Sequence, residues 1–131
     1  MTEARLHRLI PEQVNTFAKL KRGEPYHFER WKKDRYGTAC MYYWFIARDG
    51  VNKNRKRVPV TEIHTALCQL QNGGHLNRET FKIVCPVSES AGPCGFTVVG
   101  RILEALQVAV YAGRGEFKLT NANRAQSLLS T

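Results

Sequence analysis

The sequence predicts an α+β fold: an N-terminal helix, a three-stranded antiparallel sheet, then helices with a C-terminal β-hairpin. Three observations lead there. Apolar residues up to position 22 recur at mixed spacings of three and four, as on a helix that buries one face. Three aromatic- or charge-rich stretches between 26 and 60 are divided by clusters of turn formers. Beyond 60, helical stripes alternate with Gly, Pro and Asn punctuation. At 131 residues the whole chain, 1–131, reads as one domain, long enough to fold without metal or disulfide.

The first element, one helix or two short ones, spans residues 2–22, where Leu6, Leu9, Ile10, Val14, Phe17 and Leu20 form the stripe, Pro11 marks a break or restart and Gly23 a stop. Strands are expected at 26–33, 38–47 and 55–60, joined by Asp34-Arg35-Tyr36-Gly37 and by the turn-rich run 48–54. The middle strand is apolar on both faces, with Cys40, Tyr42, Trp44 and Ile46 on one and Met41, Tyr43 and Phe45 on the other, a pattern whose period does not distinguish it from a helix. Thr61 is placed to cap a helix running to about Gln71, its stripe Ile63, Ala66, Leu67 and Leu70 closed by Gly73-Gly74. Asn77 can cap a shorter helix carrying Phe81 and Val84, although Phe81-Lys82-Ile83-Val84 reads equally as a strand, and Pro86 ends either. Residues 87–95 read as a small-residue loop. Thr97 then opens a helix to about Gln107, and 108–112 and 116–120 flank Gly113-Arg114-Gly115 as a hairpin. Thr120 is expected to cap a last helix.

Charge is unevenly spread along this outline. Residues 19–57 hold twelve of the twenty Lys and Arg against four acids, a balance of +8 within a total of +9, and eight of the thirteen aromatics. Cations neutralise phosphates while aromatic rings stack on bases, so nucleic acid is the expected partner, DNA ahead of RNA. The expected contacts are Lys32, Lys33, Arg35, Arg48, Lys53, Arg55, Lys56 and Arg57, with Trp31, Tyr42 and Trp44 as stacking or pocket residues. The competing expectation is a small-molecule or protein-binding module. Its aromatic strand lines a pocket, and its charge serves solubility.

The chain shows no H-E-x-x-H, no G-x-S-x-G and no P-loop, and its only aspartates, Asp34 and Asp49, fall in turns. A non-enzymatic role is expected. His64 and Cys68 lie four apart on a helix, and Cys85 and Cys94 could complete a zinc set, but C-x-x-C pairs are lacking and the thiols read as packing groups. No cofactor is expected. The first residues lack an apolar leader, and no run approaches the roughly 20 apolar residues of a spanning helix, so a cytoplasmic protein without membrane contact is expected.

Helix, helix, loop, helix and then a hairpin with a basic tip, together with the run TVVGRILEALQVAVYAGRGEFKLT, resemble a winged helix-turn-helix domain over residues 61–120. The resemblance implies a recognition helix presenting Thr97 and Arg101 to the major groove and a wing presenting Arg114 to backbone or minor groove. The basic meander followed by a helix is similar, in architecture, to the small three-stranded DNA-binding domains of plant transcription factors and integrase arms. That likeness implies a sheet laid against nucleic acid. Residues 61–131 have six basic against five acidic residues, which also suits a homodimer or protein contact.

Overall fold

The computed structural model describes residues 5, 6, 8, 10, 16–21 and 23–130, and the fold is α+β. Its main sheet is antiparallel with strand order β1 (Thr16–Phe17), β2 (Tyr26–Lys33), β3 (Ala39–Ile46), β4 (Lys53–Pro59). Then come α1 (Val60–Gly73), β5 (His75–Asn77), α2 (Arg78–Val84), α3 (Pro86–Ser90), α4 (Cys94–Ala105), β6 (Ala109–Tyr111), β7 (Glu116–Leu119) and α5 (Ala122–Leu129).

The expected order, N-terminal helix followed by three strands, is therefore corrected to a four-stranded sheet that precedes the helices of residues 60–129. Arg5, Leu6, Arg8 and Ile10 have helical backbone, but a helix through position 22 is overturned by Thr16 and Phe17, which pair with His27 and Tyr26. A two-residue strand is too short to show a period of two, and Phe17, fully buried, fits a helical stripe equally well. Leu9, Pro11 and Val14 lie outside the described residues.

A bulge gives the sheet its faces. Between Phe28 and Arg30 the β2–β3 register slips by one residue, so Tyr26, Phe28 and Trp31 share one side with Met41, Tyr43 and Phe45. These rings, with Val58, pack on Ile63, Leu67 and the apolar residues of α4 to form one core. On the other side His27, Trp44 and Arg55 stand abreast, as do Arg30, Tyr42 and Arg57.

The predicted C-terminal hairpin acquires a third strand, β5, giving the order β5-β7-β6 with Leu76 opposite Phe117. Three residues between a helix end and a cap gave no period to read. Gly74, in the left-handed region at φ 79°, closes α1, and Asn77 caps α2 through a reciprocal pair of bonds with Thr80. The caps of the first and last helices differ from expectation. The first starts at Val60 after Pro59, and Asn121 rather than Thr120 accepts from the Arg124 amide at 3.0 Å.

The expected loop after Pro86 contains α3 instead. Its organiser is Glu62, a buried carboxylate that accepts from the Val87 amide at 2.9 Å, the Ser88 amide at 2.8 Å and Ser88 Oγ at 2.7 Å. Satisfying those first amides from another helix removes the reason a short segment stays irregular.

Candidate nucleic-acid interface

The outer face of the main sheet, away from the core, gathers most of the sequence-predicted residues. At one end the His27 imidazole stacks on the Trp44 indole, with centroids 4.3 Å apart and planes 19° from parallel, and Lys53 Nζ sits 4.2 Å from the indole centroid. In the middle, Arg55 Nε donates to Glu29 Oε2 at 2.7 Å, and Arg30 lies 3.6 Å from the same carboxylate. At the other end Asp34, Arg35, Tyr36, Tyr42 and Arg57 line a depression of about 370 Å³.

Asp34 organises that end. Its Oδ1 accepts from the amides of Tyr36 and Thr38 at 2.9 and 3.0 Å, and its Oδ2 lies 3.6 Å from Arg57 Nε. Burial pushes the Asp34 carboxyl up, but the two amides, the Cys40 thiol and Arg57 together outweigh it and hold the group below the usual carboxylate range. Burial, with Asp34 beside it, pushes the Cys40 thiol up to about 11, so it remains protonated at neutral pH. The Arg35 guanidinium lies over the Tyr36 ring at 4.8 Å and donates to its hydroxyl at 2.6 Å.

Lys32 shares this outer face opposite Cys40, while Lys33 pairs with Ala39 on the other side and is exposed at the strand end. Trp31 also turns to the core side, separated from Tyr42 and Trp44 by the thickness of the sheet. The bulge is the reason: without it Trp31 would alternate onto the outer face. His27 and Arg30 join the face without having been singled out in the sequence, since strict alternation through β2 puts them on opposite sides. A one-residue bulge leaves no composition signal.

Two other expected contacts are elsewhere. Lys56 and Arg48 line a cleft of about 820 Å³ on the core side of the sheet, with Lys19, Lys21 and Arg78. Its aromatic walls are Tyr26, Phe45 and Tyr111. Burial raises the Tyr26 phenol above its ordinary range, Cys94 adding to this and Arg78 opposing it. Lys56 Nζ donates to the Ala91 carbonyl.

In the C-terminal half, α4 is buried along nearly its whole length, Thr97 included. Arg101 Nε donates to the Ala18 carbonyl at 2.9 Å and its NH1 to Glu104 at 2.7 Å, tying α4 to the segment after β1. Arg114, at φ 55°, is exposed in the β6–β7 turn. Of the thiols, Cys85 donates to the Glu62 carbonyl at 3.3 Å, and Cys94 accepts from the Tyr43 hydroxyl at 3.3 Å. Cys68 lies 3.8 Å from His64, and among the described residues no three His, Cys, Asp or Glu come together as metal ligands. Among the same residues no helix is long and apolar enough to cross a membrane. Comparison with known protein families, with curated proteins and with solved structures finds no match for this chain.

Proposed function

We propose that this chain is a non-enzymatic nucleic-acid-binding protein whose contact surface is the outer face of the four-stranded sheet. The observation that carries the reading is the coexistence, on one open face, of the Trp44 and Tyr42 rings with Arg30, Lys32, Lys53, Arg55 and Arg57. Cations alone would serve solubility, and rings alone would be core. Both together on a solvent-facing sheet suit a ligand with phosphates and flat bases. Lys53 already occupies the space over the indole that a base would take, and its flexible stem lets the ammonium move to a phosphate when the base arrives.

Stacking needs unpaired bases, so the preferred form is a single-stranded segment. The order α1, β5, α2, α3, α4, β6, β7, with β7 central in the small sheet, supports reading the second half as a winged-helix scaffold. Its buried α4 leaves the docking to the main sheet.

The test is a salt titration of affinity for a single strand and for a duplex. Lys32, Lys53 and Arg55 changed together to Gln should flatten the slope of log affinity against log salt by about two for a single strand, roughly 0.7 for each lost contact. An unchanged slope, or no binding by the native chain at low salt, would sink the reading.

A further inference from the structure

We propose that the basic cleft on the opposite side of the sheet is a separate binding site for a small phosphorylated aromatic molecule with the chemistry of a nucleotide. Its volume of about 820 Å³ lies within the roughly 300–1,000 Å³ usual for small-molecule sites. Five cations line it, Lys19, Lys21, Arg48, Lys56 and Arg78, and no carboxylate does. Among the described residues none of the five forms an ion pair with an acid. Like charges converging on one hollow repel one another, and a bound anion relieves that repulsion.

Three of the cations are held without acids. Lys19 Nζ lies 5.3 Å from the Tyr26 ring centroid. Lys56 is fixed by the Ala91 carbonyl and sits 6.0 Å from the Phe45 ring. The Arg78 guanidinium packs over Phe96 at 4.6 Å while NH1 donates to the Pro93 carbonyl at 3.4 Å. Rings and carbonyls position these groups yet leave their charge uncompensated, which is the arrangement a phosphate requires. Between them the wall is aromatic, with Tyr26 edge-on to Phe45 at 5.4 Å and Tyr111 also lining the hollow. A ring of the ligand finds an apolar surface there and its phosphate finds the cations.

Calorimetric titration with AMP, with adenosine and with pyrophosphate tests this. The expected result is one AMP per chain, no binding of adenosine, and pyrophosphate weaker than AMP. Lys21→Gln with Arg48→Gln, both exposed and outside the core, should weaken AMP about tenfold with unchanged circular dichroism, and Trp44→Ala should leave AMP affinity alone. Absence of AMP binding at low salt would overturn the proposal, as would pyrophosphate binding as tightly as AMP. So would AMP affinity lost in Trp44→Ala and kept in the double variant, because that places the nucleotide on the outer face. Single-strand binding by the outer face is measured separately: the double variant should keep it and Trp44→Ala should weaken it, so failure of the cleft and failure of the outer face are told apart.

Discussion

His27 and Trp44, opposite each other on neighbouring strands, stack ring on ring at 4.3 Å on the outer face of the sheet. Both rings are half-buried and lie outside the core. Removing the indole while keeping the fold isolates its contribution to binding. Trp44→Ala should lose about 1 to 3 kcal/mol of single-strand affinity, and Trp44→Phe should retain most of it. Fluorescence anisotropy with a labelled oligonucleotide decides the matter; equal affinities for all three proteins would remove stacking from the mechanism.

Asp34 makes the same face sensitive to acid. Its carboxyl is held below the ordinary value of 3.8, so the ionised form contributes stability that is present above that value and is lost as pH falls through the lower, folded one. Protonation removes the charge that faces Arg57 and weakens the bonds from the turn amides. In urea melts, the gap between native protein and Asp34→Asn should narrow as pH drops from about 5 to about 2. A gap independent of pH would mean that Asp34 acts through shape alone.

How much of this could be read from the chain depends on the length of each pattern. The eight-residue strands Tyr26–Lys33 and Ala39–Ile46 are bounded by turn formers and the fourteen-residue helix Val60–Gly73 repeats its period several times, and the sequence locates all three within a residue or two. Thr16–Phe17 and His75–Asn77 are too short to repeat anything, so their pairing depends on partners distant in sequence. The site divides the same way. Tyr42 and Trp44 follow from alternation along β3, but the bulge at Glu29 exchanges Trp31 for Arg30, and Lys56 leaves the basic run for the cleft by the same alternation along β4. Basic residues adjacent in sequence point to opposite faces of a strand.

Close approach between α4 and the small sheet supplies a stability test away from both surfaces. A Cβ at Gly100 would collide with the ring of Phe117, which is itself buried and packed edge-on against Phe96 at 5.3 Å. The ring cannot swing aside without opening the core. Gly100→Ala should therefore destabilise by about 3 kcal/mol despite the better helix propensity of Ala, at the upper end of the usual cost of overpacking. A melting temperature at or above that of the native chain would show that the two elements can separate freely.

Arg101 and Arg114 separate the sheet-face reading from a winged helix docked by α4. Arg101 is committed to the carbonyls of Ala18 and Lys19 and to Glu104, so its removal breaks the tie between α4 and the segment after β1. Arg101→Ala should cost about 1.5 to 3 kcal/mol of stability, the range for hydrogen bonds to a charged group, with no change in affinity for nucleic acid among the folded molecules. Arg114 stands on the β6–β7 turn with a left-handed backbone, exposed and away from the outer face, so Arg114→Ala should change neither stability nor single-strand affinity by more than about 0.5 kcal/mol. Arg114→Gly would relieve the positive φ and should be neutral or slightly stabilising. The opposite pattern, intact stability in Arg101→Ala with affinity lost in both alanine variants, would move the contact surface from the sheet to α4 and the wing.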